Sequence, residues 1–226
     1  MELPKVTDLP RMAKVRQLLP RDQLDDVEGA VRAGLRKLNL SGRIRKGHRI
    51  GITAGSRGAG GVVPALQAII AEVKAEGGEP FIIPAMGSHG NATPEGQKYI
   101  LSCFGVTEQS LGVPIDARME TVVLGTGYNG YEAHYAVSAK EADGIIVLAR
   151  TTVHPNLKAG EKSDGVASGL LKMTMIGLGK QPGAQSAHHH GLAACVLQVP
   201  DLQLKRGNII AGGFYSGKRL PTALPG

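Results

Sequence analysis

The chain is 226 residues long and 23.6 kDa, 42% apolar, with a formal net charge of +7; it can bury a full core and is neither a disordered tail nor a mini-protein. Its 32 glycines are about twice the usual ~7% share, Trp is absent and aromatics are 4%, so backbone does more here than aromatic surface. The positive charge comes without a block of five like charges or an aromatic-interleaved basic patch, which favours a small anionic ligand over nucleic acid.

Glu2, Lys5, Asp8 and Arg11 interrupt the N-terminus, so it lacks the apolar core of a signal peptide. The apolar run Ile145 to Ala149 is far short of the ~20 residues that span a bilayer. Cys103 and Cys195 form neither a disulfide framework nor a CxxC site, and a reducing cytoplasm with no membrane partner is the expectation.

Along the chain, Leu24, Val27, Val31, Leu35 and Leu38 recur at helical spacing and predict an amphipathic helix over 22–38. A strand from Arg49, a Gly-rich turn Gly55 to Gly61, a helix Val62 to Ala75 closed by Gly77-Gly78, and a strand Pro80 to Pro84 make a βαβ unit. Thr93 as N-cap and Pro94 at the first helical position open the next helix, which runs past Tyr99 and Leu101 to Gly105. Strands follow at Thr121 to Leu124 and Gly144 to Ala149, and the alternation over Tyr131 to Val137 pairs back as a hairpin. The expected fold is α/β, a mixed, mostly parallel sheet with flanking helices. The 36 residues after His190 hold four basic residues against one acid with weak periodicity, and Asn208 to Ala211 is the one element expected there.

Two nucleotide-like motifs read better as turns. Gly125 to Gly130 matches GxGxxG, but no acid closes the next strand and the residues after Gly130 alternate like a strand. Gly212 to Lys218 lacks the Ser/Thr of a P-loop, carrying Arg219 there instead. The Gly55 to Gly61 turn is more informative, because glycines let backbone N–H groups approach an anion, a helix N-terminus follows, and Arg57 adds a fork-shaped cation. In a parallel sheet this turn shares one edge with Gly87-Ser88-His89-Gly90 and with Thr151 to Pro155, so His89, His154 and Arg57 are expected at one ligand site. His48 and His134 read as structural. Further on come Lys158, Lys162, Ser168 to Lys172, and the run His188-His189-His190, of which at most one or two can bind the same metal.

In order and spacing these residues resemble the lactate racemase family, the nickel-pincer-dependent 2-hydroxy-acid racemases and epimerases, over roughly residues 10 to 190. Ser56-Arg57 is similar to the family's Thr-Arg, Gly87-Ser88-His89 to its Gly-Thr-His, His154 to its second histidine, and Ser168-Gly169-Leu170-Leu171-Lys172 to its Ser-Gly-Gly-x-Lys, with His188 following sixteen residues later. The resemblance implies the Rossmann-like N-terminal domain of that family. It also implies the nickel-pincer nucleotide, a pyridinium mononucleotide with two thiocarboxylate groups, as cofactor. Lys172 would bind it covalently, with Lys158 and Lys162 as rivals, and His188 would ligate nickel, with His189 or His190 as substitutes. Ser56, Arg57, Gly58 and Ser168 would hold cofactor or substrate. His89 and His154 would be the catalytic bases, one on each side of a small 2-hydroxy-acid substrate, while hydride leaves and returns at Cα.

Ala54 replaces the family's acid before the Arg, and Gly90 replaces the Arg after the histidine, so a substrate other than lactate is expected. The family's second domain is missing, and 191–226 reads as an atypical tail of a truncated or frame-shifted product, which puts activity of the chain alone in question. The competing readings are a non-catalytic binder of a phosphorylated small molecule or nucleotide and, without a convincing carboxylate partner, a divalent-metal hydrolase. Homo-oligomerisation stays open.

Overall fold

The computed structural model describes residues 13, 25–57, 61–127, 130–150 and 165–215. Helix α1 (Val27–Arg36) starts where the Asp26 carboxylate accepts from the Gly29 N–H at 2.8 Å, and it buries Val31 and Leu35. Strand β1 (Arg49–Ala54), helix α2 (Val62–Ala75) and strand β2 (Glu79–Pro84) form the expected βαβ unit, with the two strands parallel and in register from Arg49 opposite Glu79 to Ala54 opposite Pro84. Helix α3 (Pro94–Ser102) begins as expected, the Thr93 side chain accepting from the Gly96 N–H. The short helix α4 (Glu108–Leu111) follows, held by a capping box between Thr107 and Ser110.

Strands β3 (Thr121–Thr126) and β4 (Glu132–Ala136) pair antiparallel, and helix α5 (Val137–Lys140) leads into β5 (Gly144–Arg150). Helix α6 (Gly165–Lys172) passes directly into a π-helical turn over Met173–Gly177. Helices α7 (Lys180–His190) and α8 (Leu192–Arg206) and strand β6 (Ile209–Tyr215) complete the described chain.

The main sheet has the order β2-β1-β5-β6 and every pairing in it is parallel. The sequence reading of a mixed sheet is therefore refined: β3 and β4 form a sheet of their own. The segment after His190, which reads as weakly patterned, supplies a helix and the edge strand of the main sheet. The half-match to a P-loop is also resolved in part, since Gly212 and Gly213 lie inside β6.

Strand residues alternate between two cores, as the period of two requires. Ile50, Ile52, Ile82, Ile146 and Leu148 face the cluster under α1 and α2, whereas Phe81, Ile83, Ile145 and Val147 face Tyr135, Leu178 and Met173 on the other side. Parallel strands covered on both faces read as continuous apolar runs, which is why β5 is Gly-Ile-Ile-Val-Leu-Ala-Arg. The buried Thr53 hydroxyl donates to Leu148 O at 3.2 Å and accepts from Leu148 N at 3.0 Å, tying β1 to β5.

The π-helical turn is pressed against the end of β2. A Cβ on Gly177 would meet Ala85 O at 2.8 Å, and one on Gly87 would meet the Ile176 side chain at 2.7 Å. Gly177→Ala is accordingly expected to lower stability by about 1–3 kcal/mol, the usual cost of overpacking, which denaturant unfolding would measure.

Candidate functional site

Because α2 carries the chain from β1 to β2 on one side while β5 lies on the other side of β1, the strand order reverses between β1 and β5. Open α/β sheets bind ligands in the crevice at the carboxyl ends of strands at such a reversal. Ser56 and Arg57 follow β1 at this edge, and His89 lies in the loop after neighbouring β2.

The loop after β2 is tightly specified. Gly87 has φ +62°, the His89 N–H donates to Met86 O at 3.2 Å, and Gly90, Asn91 and Ala92 follow with φ of +69°, +56° and +54°. Left-handed Ala and Asn cost of order 1–3 kcal/mol each and persist where surroundings over-determine them. Here the surroundings are the start of α3: the Thr93 hydroxyl donates to Gly90 O at 3.0 Å, and Gly90 O packs so closely on Gly96 that a Cβ there would lie 2.0 Å away.

His89 Nδ1 is hydrogen-bonded to the Ser56 hydroxyl at 2.7 Å. Although much of His89 is open to solvent, partial burial of its ring, followed by the positive charges of Arg57 and Lys172, holds its pKa below the ordinary histidine value of 6.5. Lys172, the last residue of α6 and half-buried, is depressed by burial first and by Arg57 second. Ser56 and His89, 33 positions apart in sequence, are thus in contact, and the charges of Arg57 and Lys172 act on the same ring, so the four make one group. The π-helical turn explains how Lys172 reaches it. Its residue Met173 packs against Gly55, where a Cβ would be 3.0 Å from the methionine methyl, so α6 ends beside the turn after β1.

Other expected residues are not gathered into this group. His188 is exposed in the last turn of α7, and among the described residues no hydrogen bond or ion pair joins it to Lys172. His189 and His190 meet edge-on, and His190 also lies against the Tyr131 ring. Among the described residues no set of three His, Cys, Asp or Glu side chains is placed to hold a metal ion, which leaves the divalent-metal hydrolase without support from a ligand cluster. His154, Lys158, Lys162 and Gly58 lie outside the described residues, as does the side chain of Ser168, whose backbone is in α6. His48 and His134 are structural: His48 Nδ1 accepts from the Arg45 N–H at 3.3 Å, and His134 bonds the Thr121 hydroxyl at 3.2 Å beside Glu132.

One residue that sequence reasoning did not single out belongs beside the site. Lys180 is wholly buried, with Nζ donating to Pro84 O at 2.7 Å and to Gln97 Oε1 at 3.1 Å. Burial pushes its pKa down to about 8 against the opposing attraction of Asp116 and Glu120. A groove of about 630 Å³ opens elsewhere, beside the starts of β1 and β2, and its charges are largely paired, Arg118 with Asp116 and Glu141, and Lys98 with Glu108.

No family model matches the chain, and no curated protein matches it either. Among the described residues no helix is long and apolar enough to cross a membrane.

Proposed function

We propose that the chain is the cofactor-binding domain of a 2-hydroxy-acid racemase or epimerase of the lactate racemase type, working with the nickel-pincer nucleotide. The observation that carries this reading is the Ser56–His89 hydrogen bond beside Arg57 and Lys172, a base, an anion-binding fork and a depressed lysine at one sheet edge. When bound, the pincer nucleotide supplies an acceptor for the hydride of the substrate Cα–H. The donor set suits such a group: cations for its phosphate and carboxyl functions, and a lysine whose lowered pKa leaves more free amine for covalent attachment. His188 is the proposed nickel ligand, a nitrogen donor compatible with soft sulfur neighbours. Gly58 and Ser168 are proposed as further cofactor-binding residues.

His89 has the remaining task, removal of the hydroxyl proton. Ser56 occupies Nδ1, so Nε2 is the nitrogen that takes it. A lowered pKa keeps the ring neutral at pH 7, and His154 is proposed to act in the same way from the other face. As pH falls through the folded pKa of His89, below 6.5, the ring is protonated; the acid limb of the rate profile is expected below that value, and the stability linked to the neutral ring is lost over the same interval.

The test is a racemisation assay over hydroxy acids and sugar acids, with the chain co-expressed with cofactor-synthesis genes. Inversion of at least one substrate supports the reading. The same cations also suit a non-catalytic binder of a phosphorylated small molecule; binding of a phosphorylated ligand with no inversion of any substrate and no nickel would favour that instead.

A further inference from the structure

Burying an ammonium group is costly, and Lys180 is wholly buried with two neutral oxygens as its hydrogen-bond acceptors. Asp116 and Glu120 act on it through space, and neither forms a hydrogen bond with it. An apolar side chain would fill the position more cheaply, so the position gains something that only a hydrogen-bond donor supplies. What it gains is visible one bond further on. An amide has one accepting end and one donating end, and which way it points is set by its partners. With the Lys180 ammonium at Gln97 Oε1, Nε2 must face the loop after β2, where it donates to Gly87 O at 2.9 Å and to His89 O at 3.3 Å. Gln97 is itself wholly buried, and its amide group is satisfied at both ends. Lys180 also holds Pro84, the residue from which that loop departs.

We propose that Lys180, acting through Gln97, is a positioning residue for His89. The ammonium fixes the orientation of the amide, and the amide clamps the two carbonyls on either side of Ser88, so His89 stays against Ser56 and beside Arg57 and Lys172. This rests on the proposed function only in giving His89 the part of the base; the clamp itself is independent of cofactor and substrate.

The experiment is an NMR titration of the His89 imidazole in the full, cofactor-free chain, comparing the parent with Lys180→Met and Gln97→Met. Gln97→Met removes the two donors to the loop and places no new charge near His89, so it decides the matter even where Lys180→Met fails to fold. Release of the loop takes His89 away from burial and from the two cations, and its midpoint is expected to rise toward 6.5 in the variants. Val73→Ala, which loosens α2 in the core and does not touch the relay, is expected to lower stability and leave that midpoint in place. An unchanged His89 midpoint in folded Gln97→Met overturns the proposal. The titration is read without turnover, so a chain that fails to racemise any substrate but shows the rise in midpoint would sink the racemase reading and keep the clamp.

Discussion

Under the proposed function, His89→Ala is expected to lower isomerisation by about 10²–10⁴-fold, the usual worth of a positioned general base, without preventing the proposed modification of Lys172. The geometry separates the two effects. His89 meets Ser56 through one ring nitrogen and leaves the other for the proposed proton transfer, whereas Lys172 feels Arg57 as a neighbouring charge, and the proposed attachment of a cofactor to its amine does not pass through the imidazole. Affinity for the substrate carboxylate is expected to stay near the parent value, because Arg57 is intact. Chiral-phase analysis of the product checks the loss, and intact mass checks the modification. Turnover within a few-fold of the parent would remove His89 from the role of base.

The second large effect concerns stability. Lys180 falls from 10.5 to about 8 on folding, and at ~1.36 kcal/mol per tenfold in proton affinity this is on the order of 3 kcal/mol. Its folded pKa is below its unfolded one, so between these values the unfolded chain holds the proton and the folded chain does not. The contribution is therefore fully present above pH 10.5 and is lost as pH falls through about 8. Relative to Lys180→Met, the parent is expected to gain stability steadily from pH 8 to 10.5, which urea unfolding at several pH values measures. A difference that stays constant across that range would show that the buried amine does not titrate as described.

The elements that sequence reasoning reached are those with local punctuation. Thr93-Pro94 announces α3, Gly77-Gly78 closes α2, and the apolar runs flanking them are short enough to be buried strands. Ser56, Arg57 and His89 were reachable because they sit just past strands, where parallel topology alone brings them together. Lys172 followed from a resemblance, since nothing local shows that a π-helical turn will press the end of α6 against the turn after β1.

Lys180 was hidden for a physical reason. A lysine flanked by Gly179 and Gln181 reads as solvated, and its burial depends on Pro84 and Gln97, which lie 96 and 83 positions away. Helix α8 was legible in principle: Leu192, Cys195, Val196 and Val199 have helical spacing and pack inward, but Pro200 within the same stretch argues against a helix of this length. Strand β6 reads as a short element because Gly212 and Gly213 weaken strand propensity; pairing along β5 as far as Arg150 opposite Tyr215 overrides it.

Whether Lys172 takes the proposed nickel-bearing nucleotide is read from intact mass and metal content of the chain made together with cofactor-synthesis genes. An adduct with nickel is expected, located to Lys172 by peptide mapping and absent from Lys172→Met. A folded parent chain of unmodified mass without nickel, or an adduct that survives in Lys172→Met, would contradict it.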